Sequence, residues 1–127
     1  MPLYWTIDSR ARLFSCVGEG EVGFADAVSL LEAMAGAGAL SYRKLFDGTA
    51  ATASLTPDEI MSLCVQIRTL HGAGAMGALA MVGTPEQTMV FARLLGVLAS
   101  AERPIKVFNS SSPAQDWIEK QGDALPM

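Results

Sequence analysis

Arg43-Lys44-Leu45-Phe46-Asp47-Gly48, with Thr56-Pro57-Asp58-Glu59 shortly after it, is the stretch that decides the fold. It reads as an inner strand, a loop and the start of a helix. Thr56 can offer its hydroxyl to the free N–H groups of a first turn. Pro57 has no N–H to lose and is pre-set for helical φ. Glu59 stands three residues after Thr56 and can reach back to its backbone, which is the capping-box arrangement. Asp58 and Glu59 also suit the positive end of a helix dipole. The same grammar returns at Thr84-Pro85-Glu86-Gln87 and at Ser112-Pro113-Ala114-Gln115. The expected caps Thr56, Thr84 and Ser112 are spaced by 28 residues, the pitch of a strand-helix unit.

Working outward, Tyr4 to Asp8 and Leu13 to Val17 read as two strands around the polar turn 9–12, an antiparallel hairpin. Gly18, Gly20 and Gly23 punctuate the stretch after the hairpin. Phe24, Ala27, Val28, Leu31 and Met34 or Ala35 recur at helical spacing and predict a helix near 24–36, ended by Gly36 and Gly38. The inner strand spans Leu40 to Asp47. Lys44 is awkward there unless it lies at the sheet edge or near the strand start. Gly48 to Leu55 is rich in Ala, Thr and Ser and reads as a flexible loop.

The second helix is expected to bury Ile60, Leu63, Cys64, Ile67 and Leu70. Ala75 to Val82 is a continuous apolar run, suited to a strand covered on both faces of a parallel sheet. A third helix is expected to bury Met89 or Val90, Phe91, Leu94, Leu95 and Leu98. Ile105 to Phe108 is the last strand. The last helix closes the core with Trp117 and Ile118. The expected fold is α/β, a mostly parallel sheet in the order β-β-α-β-α-β-α-β-α with an N-terminal β-hairpin.

The chain has 127 residues, which suits one domain over 1–127, with a tail of about 121–127 expected to be poorly ordered. Hydrophobic residues make up 50% and charged residues 17%, so a packed core is expected and not disorder. The net charge of −4 and the lack of a basic run argue against nucleic-acid binding. No stretch is long and apolar enough to predict a membrane span, and the first residues carry no secretory pattern, so a cytoplasmic location is expected. Cys16 and Cys64 have no metal-ligand spacing, and His71 is the one histidine. Both cysteines read as buried, slow thiols on apolar faces.

No Ser/His/acid set, paired carboxylate or phosphate loop stands out, so neither an enzyme nor a cofactor is expected. In open α/β sheets, ligands meet the carboxyl ends of the strands. That rim would hold Asp47, Thr49, Thr52, Ser54, Thr56, Thr84, Asn109 and Ser111, the candidate ligand- or partner-binding residues. Their hydroxyls could form an anion cradle at the helix N-termini or serve as plain caps. Asp47 reads either as a site carboxylate or as a turn residue bonding its own loop.

Three groups of residues carry a family resemblance: Gly18 to Val22 before the first helix, Leu45 to Gly48 with Thr56 to Ile60, and Val107-Phe108 with Ala114 and Trp117-Ile118. In this arrangement, from about Leu13 to Ile118, the chain resembles the SpoIIAA-like branch of the STAS superfamily. The resemblance implies successive β-α turns and a bacterial regulatory module. Anti-sigma-factor antagonists of that superfamily carry a phosphorylatable Asp-Ser pair after the third strand. Here Ser54-Leu55-Thr56-Pro57 stands in its place. The branch also resembles lipid-binding domains of the Sec14 type.

Two functions are expected on these grounds. One is a non-catalytic regulatory module that binds a protein partner or a second copy of itself. The other is a carrier or sensor of a small apolar or anionic ligand. A large apolar cavity lined by Met34, Met61, Met81 or Met89 would favour the carrier, and a filled core with an exposed apolar patch would favour the partner module.

Overall fold

The computed structural model describes residues 3–73, 77–90 and 104–121. The expectations for Ala75, Met76, Phe91, Leu94, Leu95, Leu98 and the tail beyond Gln121 lie outside them. The fold is mixed α/β around a five-stranded sheet. Its strands are β1 (Leu3–Asp8), β2 (Leu13–Gly23), β3 (Arg43–Ser54), β4 (Leu79–Val82) and β5 (Ile105–Phe108), side by side in chain order. β1 runs antiparallel to β2, and the other neighbours are parallel. The helices are α1 (Phe24–Gly36), α2 (Pro57–Ala73), α3 (Pro85–Val90) and α4 (Ser111–Glu119). Each follows a strand, so each helix starts at the carboxyl edge of the sheet.

Side-chain alternation sorts the strands onto two faces. Phe14 and Cys16 of β2 join Leu3, Met34 and Ala39 in one buried cluster, with Trp5, Leu30 and Phe46 packed against it. Ala80 and Val82 of β4 point the other way and meet Ala114 and Ile118 of α4, with Leu13, Leu45, Phe108 and Trp117 around them. Burying a side chain the size of Ile118 contributes about 1.5–3 kcal/mol.

Helix ends follow the local chemistry. At the start of α1, Asp26 Oδ2 accepts a hydrogen bond from Gly23 N at 2.9 Å. At its end, Gly38 takes φ +68, a left-handed conformation that costs glycine little. At α2, Thr56 N donates to Glu59 Oε1 at 2.9 Å and Glu59 N donates to Thr56 Oγ1 at 3.2 Å, a complete capping box. Thr84 and Gln87 repeat it at α3, at 2.7 and 3.2 Å. The third expected cap is corrected. α4 begins at Ser111, after Ser110 in extended backbone without a side-chain cap bond. Ser112 and Pro113 therefore lie inside the first turn. Pro113 is tolerated because first-turn N–H groups have no intrahelical acceptor.

The central strands are longer than their composition suggests. Gly48 to Ser54 is strand, not a flexible loop, and β2 runs through Gly20 to Gly23. β4 stops at Val82, opposite Asp47, whereas β2 and β3 continue as a two-stranded arm pairing Glu19–Gly23 with Ala50–Ser54. At the base of the arm, Val17 faces Asp47 and Glu19 faces Ala50, so Gly48 and Thr49 together lie against Gly18. This is a β-bulge. β3 itself begins at Arg43, and β4 at Leu79. Gly77 precedes β4 with its N–H on Leu40 O at 3.0 Å, and a Cβ there would stand 2.1 Å from Tyr42 O. Only glycine fits that approach.

Two cations brace the amino edge. The Arg43 guanidinium donates to Ala11 O at 2.5 Å and to Ile118 O and Glu119 O at 3.2 Å. It thereby ties α4's last carbonyls, the negative end of that helix, to the start of β3. Lys44 sits near the strand start, one of the two places the sequence left for it. It is buried at 3% exposure, in the central strand.

Candidate ligand cavity and carboxyl rim

α1 and α2 lie over the sheet face that carries Phe14, Cys16, Lys44, Phe46, Leu79 and Met81. All but Cys16 are large side chains, and they stand at alternate positions of three adjacent strands. Leu30, Leu31 and Met34 come down from α1, and Leu63, Ile67 and Leu70 from α2. Between the layers is a cavity of about 170 Å³. Its exposed wall is apolar, with Lys44 and Cys16 among the residues that line it. For scale, an engineered apolar cavity of about 150 Å³ stays dry and binds benzene. Of the methionines named from the sequence, Met34 and Met81 line it, Met61 is 55% exposed, and the Met89 side chain lies outside the described residues.

The Lys44 side chain crosses to the turn before its own strand. Nζ donates to Leu40 O at 2.5 Å and to Tyr42 O at 2.7 Å. Its register partners Phe14 and Leu79 also line the cavity. Burial pushes the Cys16 thiol up from 9.0 to about 11, against a backbone hydrogen bond from Tyr4 that lowers it. Cys16 therefore meets the cavity as a neutral thiol. Both cysteines are buried and free. Trp5 stacks on Phe14 with ring centroids 6.5 Å apart, so an indole adjoins the cavity wall.

The carboxyl rim holds the residues singled out from the sequence, in two groups. Asp47, Thr49 and Thr84 are gathered around the bulge. Asp47 Oδ1 accepts from Thr49 N at 3.1 Å and from the Thr49 hydroxyl, so Asp47 acts as a turn residue. Gln87 completes the group, and its amide was legible only as a cap. Its Oε1 serves Thr84 while Nε2 donates to Gly48 O at 2.8 Å and Ala51 O at 2.9 Å. A glutamate would cap as well but could not donate, and the amide in place of an acid was the signal. Asn109 and Ser111 are exposed at the β5–α4 connection. Thr52, Ser54 and Thr56 stand apart, along and beyond the arm. Strand rise puts Ser54 roughly 20 Å from Asp47. Among the described residues, no group of His, Cys, Asp and Glu could hold a metal ion, and no helix is long and apolar enough to cross a membrane.

No protein-family model and no curated protein matches the sequence. Among solved structures, the chain is similar to an uncharacterised protein of the DUF3478 family with a SpoIIAA-like fold, from Shewanella loihica PV-4. The TM-score is 0.63 at 17% identity, over 91% of this chain and 93% of that one. That similarity, together with the sheet order and the alternation of strands and helices, gives this chain a SpoIIAA-like fold.

Proposed function

We propose that this chain is a non-catalytic regulatory module of the bacterial cytoplasm that senses or carries a small apolar ligand in the cavity between α1, α2 and the sheet. The cavity carries this reading. A gap of about 170 Å³ amid large apolar side chains forfeits packing contacts, and a ligand would restore them. The rim supports binding elsewhere, since Asp47, Thr56 and Thr84 are engaged by nearby backbone. Benzene, titrated into isotope-labelled protein and followed by methyl and amide shifts, tests it. Shifts are expected at Leu31, Met34, Leu63 and Met81. Shifts absent there, or confined to Gly48–Thr56 and Thr84, would refute it.

A second reading rests on α2's outer face. Met61 and Val65, one turn apart, are 55% and 59% exposed. They favour a protein partner or a second copy of the chain docking on α2. Size-exclusion chromatography with light scattering separates these outcomes from a free monomer.

A further inference from the structure

We propose that a second copy of this chain docks on α2, the two α2 helices lying antiparallel about a two-fold axis beside Leu63. This rests on the reading of α2's outer face as a docking surface and names the partner. α2 buries Leu63, Cys64 and Ile67. On its other side Asp58, Met61, Val65 and Arg68 are all exposed. Their spacing of three, four and three residues aligns them in one stripe about 15 Å long. Met61 and Val65, in the middle of the stripe, are the two most exposed large apolar side chains among the described residues. Asp58 and Arg68 stand at its two ends.

The order acid, apolar, apolar, base is its own complement when the helix is turned end for end. With the axis at Leu63, Met61 meets the second copy's Val65, and Asp58 meets the second copy's Arg68. Symmetry makes each contact twice. A parallel pair would set acid on acid and base on base, so the charges choose the antiparallel order. An unrelated partner would need that complement by coincidence, whereas a second copy carries it. Ser62 and Thr69 flank the stripe with short side chains, which lets the helix axes approach to about 8–10 Å. A contact of a few side chains from each copy falls short of the roughly 800 Å² per partner of a standard interface, so the dimer is weak and concentration-dependent.

Sedimentation equilibrium of the whole chain, from about 10 μM to about 1 mM, is the test. A monomer–dimer equilibrium is expected, and Val65→Asp or Met61→Asp should each abolish the dimer while leaving the chain folded. Asp58→Arg and Arg68→Asp should each weaken it about tenfold, because each sets two like-charged pairs face to face. The double reversal of Asp58→Arg with Arg68→Asp should return the dissociation constant to within about threefold of the unaltered protein. A dimer lost in Val65→Asp but insensitive to the single reversals, or not restored by the double one, would overturn the antiparallel pairing and leave α2 standing as a docking surface. A monomer throughout would overturn the second copy and leave α2 to a different partner. A dimer that survives both aspartate variants would overturn the pairing and the α2 surface together.

Discussion

The two faces of the sheet are packed differently. On the α4 face the contact residues are small. Ala78, Ala80 and Ala114 are at 2%, 0% and 0% exposure, and Ile118 at 1% fills the space between them. Alanines let the helix approach closely, and Arg43 holds the helix end in place. On the α1/α2 face the residues are large, and several that line it, including Leu30, Leu31 and Phe46, are only partly buried. Bulky side chains from two helices and three strands do not mesh as closely there, and a cavity is left. One face is closely packed and the other keeps a cavity.

Truncation should separate the faces most. Ile118→Ala is expected to cost about 3–4 kcal/mol, since its close-packed site cannot collapse. Leu31→Ala, beside the cavity and already partly exposed, should cost about 1–2 kcal/mol. Urea midpoints measure both, and equal losses would break the contrast. Enlargement should give opposite signs. Ala114→Met overpacks the α4 face and should destabilise by about 1–3 kcal/mol. Ala27→Met fills the cavity from α1, should stabilise by about 0.5–1 kcal/mol, and should abolish benzene binding.

Helix starts give a smaller effect. Thr56→Ala and Thr84→Ala should each cost about 1 kcal/mol, whereas Ser112→Ala, inside its helix, should be close to neutral in the same urea series. The smallest effect at neutral pH concerns Cys16 on the cavity face. Its pKa is raised from 9.0 to about 11, so burial stabilises the protonated thiol. That contribution is fully present below pH 9 and is lost as pH rises toward 11, so the urea midpoint should fall over that window. At about pH 8, labelling of native protein by a thiol reagent should be much slower than labelling of denatured protein. Labelling at the denatured rate would mean that the cavity face is open to solvent.

The elements with local causes were legible. Thr56-Pro57-Asp58-Glu59 and Thr84-Pro85-Glu86-Gln87 are self-contained, because a cap and its partner are three residues apart. The helix over 24–36 followed from its periodicity. The arm was missed because Ala50, Ala51, Ala53 and Ser54 have small, weakly β-prone side chains. Their strand state comes from pairing with Glu19 to Gly23, a long-range condition that composition does not report. The Ser112 motif misled because its residues fit the first turn of a helix as well as they fit a cap. Lys44 was recognised as anomalous, but its carbonyl partners depend on the turn 39–42 folding back beneath β3.

By itself, the sequence determined the alternation of strands and helices, the parallel character of the sheet, two of the helix caps and the apolar setting of Cys16 and Cys64. Each is written in residues near one another or in a repeating pattern. Tertiary structure alone decided where the arm runs, that Gln87 holds the bulge, and that large side chains from α1, α2 and three strands leave a cavity with Lys44 in its wall. A cavity is a difference between the volume that facing elements enclose and the volume their side chains fill. It is settled only when those elements are brought together.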